Sequence, residues 1–136
     1  MKKISITTSI LIVLAICTAT PQLAKKNLKK GMFEALKWGL QFKIPIIVTE
    51  NGIEDADDDL RPSYIIQHLH QIWRGVNFNW PIKGYFYWTL VDNFEWERGY
   101  GPRFGLVRID YETLERIPKQ SAYWYRDLIA NNVITL

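Results

Sequence analysis

Two short segments hold the side chains that could do chemistry. Thr49-Glu50-Asn51-Gly52 puts a carboxylate directly after the apolar run Ile46-Ile47-Val48. A carboxylate there is costly to bury without partners and poorly placed for a purely surface role. Trp88-Thr89-Leu90-Val91-Asp92-Asn93-Phe94-Glu95-Trp96 sets two indoles among two carboxylates and an amide. Aromatic faces beside carboxylates suit a sugar, which has apolar C–H faces and a rim of hydroxyl donors. The plainer alternatives are a strand-capping Glu in solvent and core aromatics beside a capping acid, and composition does not separate them. His68 and His70 read as residues on the face of a helix, away from both segments. Gly99-Tyr100-Gly101 is not a phosphate loop.

These segments need elements to position them, and the pattern is alternating helix and strand. Residues 32–43 place Phe33, Leu36 and Leu40 on one helical face, with Gly31 just before it. Residues 44–49 form a short β-branched run, typical of a strand buried on both faces of a parallel sheet and stopped by Asn51-Gly52. Residues 54–59 are an acidic loop. Arg61-Pro62 opens a helix with Pro in its first turn, and Ile65, Leu69, Ile72, Trp73 and Val76 continue it to residue 77. A second strand spans 82–90, and an aromatic loop and an extended piece over 104–111 follow. Pro118 marks a break, and residues 121–131 form a last helix with Tyr125, Leu128 and Ile129 aligned. This order predicts an α/β fold with a parallel sheet and right-handed crossovers, whose ligands bind beyond the carboxyl ends of the strands.

Charge is divided unevenly along the chain. Residues 1–30 hold six lysines and no acid, whereas the other 106 residues hold 11 basic and 14 acidic side chains. The folded part is therefore acidic, which argues against nucleic acid as a partner. Lys2 and Lys3 precede an apolar run over residues 4–19, and Lys25, Lys26, Lys29 and Lys30 follow it. That order fits a secretory signal first. A membrane anchor comes second, because a span needs about 20 apolar residues and Thr7, Thr8 and Ser9 dilute this one. An unrelated stretch joined to a truncated reading frame is close behind. Export or membrane association follows if the leader is real; otherwise the chain stays in the cytoplasm. Cys17, the single cysteine, excludes an intrachain disulfide and reads as an apolar leader residue.

Four blocks in order carry a resemblance: Ile47 to Gly52, Leu60 to Tyr64, Lys83 to Trp96, and Arg103-Phe104-Gly105-Leu106. Together they closely resemble the C-terminal part of family-one glycoside hydrolases, which are retaining β-glucosidases and β-glycosidases on a TIM barrel. The likeness runs over residues 31–131. The fold it implies is the C-terminal fragment of a (β/α)8 barrel, about the last two βα units plus a preceding helix, in a partial domain over residues 31–136. By the same resemblance, Glu50 is the catalytic nucleophile at the end of strand seven and Trp88 is the platform under the sugar. Glu95 takes two sugar hydroxyls, Trp96 donates to a neighbouring hydroxyl, and Phe104 lies near the hydroxymethyl group. Asn93, Asp92 and Arg61 are supporting residues. The implied substrate is a β-glycoside or oligosaccharide, with no metal and no organic cofactor.

The family's acid/base Glu lies in an Asn-Glu-Pro motif, and these 136 residues contain none. A TIM barrel needs eight strands in about 250 residues, whereas two strands and three helices are predicted here. The expectation is a truncated β-glucosidase with its nucleophile and without its acid, needing the missing barrel half or self-association to cover two open sheet edges. The alternative is a non-catalytic carbohydrate- or partner-binding remnant at the membrane, in contact through residues 4–19. A nucleic-acid stacking surface ranks last, since Asp92, Glu95 and Glu97 interrupt any cationic groove.

Overall fold

The computed structural model describes residues 11–14 and 28–132, with side chains from residue 31 onward. Cys17 and the rest of the apolar run over residues 4–19 lie outside the described residues. Three parallel strands make the central sheet in the order β1 (Leu11–Leu14), β2 (Ile46–Asn51) and β3 (Ile82–Tyr87). Helix α1 (Leu28–Gly39) precedes β2, and α2 (Arg61–Asn77) connects β2 to β3. An antiparallel pair, β4 (Val107–Ile109) and β5 (Arg116–Pro118), then leads into α3 (Gln120–Asn131). Among the described residues, no helix is long and apolar enough to cross a membrane.

Two apolar clusters hold the layers together. Met32 and Leu36 of α1 pack on Ile46 and Val48 of β2, with Ile72, Trp80, Ile82 and Tyr85 around them. Nearer the strand ends, Ile53, Tyr64, Ile65, Tyr87 and Leu106 form the second cluster, flanked by Ala122, Trp124 and Tyr125 of α3. Truncating a wholly buried residue such as Leu36 to Ala costs about 2–5 kcal/mol in such a core.

Several predicted bounds shift. Helix α1 runs through Gly31, and its end tightens into a 3-10 turn, Leu40–Phe42, closed by Lys43 in the left-handed region (φ 55°). Strand β2 continues through Glu50 and Asn51, and β3 stops at Tyr87, short of the predicted residue 90. Pro118 does not break the chain; it ends β5, on an exposed edge where its missing N–H costs no ladder bond. The predicted apolar stripes are too broad: Trp73, Val76 and Ile129 are exposed. His68, in contrast, is buried in the α2 interface. The sheet also holds three strands where two were predicted, because the backbone of residues 11–14 pairs with β2 on the side away from β3.

Candidate functional site

Glu50 and Trp88 lie at the carboxyl ends of the neighbouring parallel strands β2 and β3. Glu50 is half-buried. Among the described residues, nothing hydrogen-bonds or ion-pairs with its carboxylate. Asn51 ties the two strand ends together. Its carbonyl accepts the Trp88 backbone N–H at 3.0 Å. Its side-chain Nδ2 donates to the Tyr64 hydroxyl at 2.9 Å, and its Oδ1 accepts from the Tyr85 hydroxyl at 3.0 Å. Gly52 makes this approach possible, because a Cβ there would sit 1.6 Å from the Trp88 carbonyl oxygen. Burial pushes the Tyr85 phenol well above its ordinary range, and the neighbouring Tyr125, Tyr64 and Tyr87 add to the shift. The Thr49 hydroxyl is buried with no hydrogen-bond partner among the described residues.

Beyond β3 the chain is irregular, and the Trp88–Thr89 peptide is cis. The Trp88 indole Nε1 donates to Glu95 Oε1 at 3.2 Å, so indole and carboxylate form one unit. Glu95 is further set by a tight loop, its N–H donating to the Gly99 carbonyl at 2.8 Å. Trp96 is 77% exposed, in the one-turn 3-10 helix Trp96–Arg98. Asn93 donates weakly to the Thr89 hydroxyl at 3.5 Å, and its carbonyl accepts from the Tyr111 hydroxyl at 3.4 Å. Phe104 is only 4% exposed, and its carbonyl accepts from the Thr89 N–H and the Tyr87 hydroxyl.

Two residues named as supporting turn out to be buried hubs. Asp92 accepts from the Gly105 N–H at 2.8 Å and from Arg103 Nη1 at 3.1 Å, which folds the 88–106 loop onto itself. Arg61 is wholly buried and donates to Asp58, to the Asp55 and Arg103 carbonyls and to the Tyr87 hydroxyl. The strand ends thus bring Glu50, Trp88 and Glu95 to the carboxyl end of the sheet. The sequence reading did not single out Asn51, Tyr64 or Tyr85. Asn51 looked like a strand stop, and only its position directly after Glu50 could have flagged it.

Parallel strands with helical crossovers, and polar side chains gathered at the strands' carboxyl ends, are the features of part of a (β/α)8 barrel. The sequence model for glycosyl hydrolase family 1 matches residues 22–134, and the chain belongs to that family. It is similar to a β-galactosidase of Pyrococcus woesei, 41% identical over 107 residues, covering 78% of this chain and 21% of that protein. It is likewise similar to a 1,4-β-D-glucan glucohydrolase of Thermotoga neapolitana, 44% identical over 99 residues, covering 66% of this chain and 22% of that protein. Among solved structures, the β-glycosidase of Thermosphaera aggregans superposes with a TM-score of 0.75 at 38% identity, over 79% of this chain and 22% of that one. The chain spans about a fifth of the length of these relatives.

Proposed function

We propose that these residues supply the nucleophile and the sugar-binding wall of a retaining β-glycosidase that hydrolyses terminal β-D-glycosides. The observation that carries this reading is Glu50 at the tip of β2, joined through Asn51 to the Trp88–Glu95 unit at the end of β3. In the reaction, Glu50 attacks the anomeric carbon and the bond to the leaving oxygen breaks. A second carboxyl group protonates that oxygen, and water then hydrolyses the glycosyl ester. Retaining enzymes hold the two carboxyl groups about 5–5.5 Å apart. No Asn-Glu-Pro is present, so the family's usual proton donor is missing from these 136 residues.

That division of labour can be tested with leaving groups. A 2,4-dinitrophenyl β-glucoside needs little acid help and should turn over slowly, and Glu50→Gln should cut the rate by about a hundredfold or more. Turnover that survives Glu50→Gln would remove the nucleophile assignment. Efficient cellobiose hydrolysis would show that an acid is present after all. The absent motif also favours a second reading, in which the chain binds a saccharide without cleaving it. Quenching of tryptophan fluorescence by glucose, with no release of dinitrophenol, would select that reading.

A further inference from the structure

Strand β2 does not keep strict alternation. Ile46 and Val48 are fully buried and pack on Met32 and Leu36 of α1. Continued at a period of two, the next residue to face the helices would be Glu50. The pairing runs otherwise. Val48 lies opposite Tyr85 and Asn51 opposite Tyr87, three steps on β2 against two on β3. On the other side, Val13 lies opposite Val48 and Leu14 opposite Glu50, so β2 again advances one step too many. One extra residue is inserted between Val48 and Asn51. Such a bulge re-aims side chains. Asn51 therefore takes the helix-facing place, 1% exposed against Tyr64 of α2, and the residue before it is turned away from the helices.

We propose that Asn51, clamped by Tyr64 and Tyr85, is a positioning residue that locks this bulge and thereby fixes Glu50 against Trp88. The inference rests on the reading of Glu50 as nucleophile. Asn51 is joined to both parties: it is bonded covalently to Glu50, and its carbonyl holds the Trp88 N–H at 3.0 Å. Both ends of its side-chain amide are used, one by a tyrosine from the helix layer and one by a tyrosine from β3. A one-residue slip that removed the bulge would carry Glu50 into the apolar layer of Met32 and Leu36, where an unpaired carboxylate is costly. The clamp opposes that slip. Because burial keeps the Tyr85 phenol protonated, its hydroxyl stays a donor across the neutral range.

The test is labelling of the full chain with 2,4-dinitrophenyl 2-deoxy-2-fluoro-β-D-glucoside, following the modified peptide by mass spectrometry at several reagent concentrations. The unsubstituted chain should be labelled on Glu50. Asn51→Ala should lower the limiting labelling rate ten- to a hundredfold, the scale set by small misplacements of a reacting group. The half-saturating concentration and the final labelled fraction should hardly change. Tyr85→Phe, which removes only the hydroxyl, should give a smaller loss in the same direction and covers the case in which Asn51→Ala does not fold. A merely structural role would lower the labelled fraction and leave the rate of the folded molecules unchanged, and that result overturns the proposal. Labelling of another residue in the unsubstituted chain, or of none, would instead overturn the nucleophile reading and this inference with it.

Discussion

His68 shows how one side chain behind the site ties stability to pH. It sits on α2 four residues after Tyr64, with Nδ1 2.8 Å from the Tyr64 carbonyl and the two rings 4.0 Å apart. A carbonyl only accepts, so Nδ1 carries the proton. Burial lowers the imidazole pKa below its ordinary 6.5, and the bond to the carbonyl offsets only part of that. The unfolded chain therefore binds a proton at a pH where the folded chain still refuses it. The His68 contribution is complete well above pH 6.5, is lost as pH drops through it, and levels off once the folded imidazole also titrates. Urea titrations followed by tryptophan fluorescence should show the midpoint falling between about pH 7 and 5. His68→Gln should flatten that fall. A slope unchanged in His68→Gln would mean that another group sets it.

At the scale of elements, the loop between β2 and α2 caps two helices at once. The residues at the cap positions, Leu60 and Lys119, make no side-chain cap bond. Asp55 instead accepts the Leu60 and Arg61 N–H groups at 3.1 and 2.9 Å, at the start of α2. Asp58 accepts the Ser121 N–H at 2.8 Å and its hydroxyl at 2.6 Å, at the start of α3. Arg61 lies between the two carboxylates and neutralises both. Arg61→Met would remove the guanidinium paired with both and leave them only the Lys119 ammonium as a neighbouring cation, a loss of about 3–5 kcal/mol in urea unfolding. Adding Asp58→Asn should restore part of it, since a neutral amide still accepts at a helix start. An Arg61→Met chain within about 1 kcal/mol of the original would show that the pair carries no such burden. This hub also marks how far the sequence can be read. The span of α2 was legible from Pro62 and the spacing of Ile65, Leu69 and Ile72, and both strands from their apolar runs, although the end of β3 was set three residues too far along. The caps were not legible, because their acceptors stand five to 63 residues from the groups they serve. The β4–β5 pair was hidden as well. Its turn depends on Asp110 Oδ1 accepting the Glu112 and Thr113 N–H groups and on Leu114 at φ 62°, neither of which a hydrophobic pattern signals. The bulge at Glu50 escaped for a related reason, since register belongs to a pair of strands and not to either one alone.

For the whole molecule, the decisive feature is the face of the parallel sheet turned away from the helices. Tyr85 and Tyr87 of β3 belong to the clusters beneath the helices. Gly84 and Phe86 face the other way, where a Cβ on Gly84 would meet the side chains of Ile47 and Phe86. Phe86 on that face is 61% exposed. Parallel sheets are otherwise buried on both sides. In a closed barrel this face is the packed interior, and its aromatic is a core residue. In this chain the same ring is exposed beside β3, an edge strand among the described residues, and such surfaces draw other chains. Sedimentation velocity across a range of chain concentrations should therefore show self-association. Phe86→Lys should suppress it, since a charge on that face opposes docking. Because the ring is already exposed, the substitution should change unfolding free energy by no more than about 0.5 kcal/mol. Sedimentation that does not depend on concentration, or is unaltered by Phe86→Lys, would show that this face is not what draws chains together.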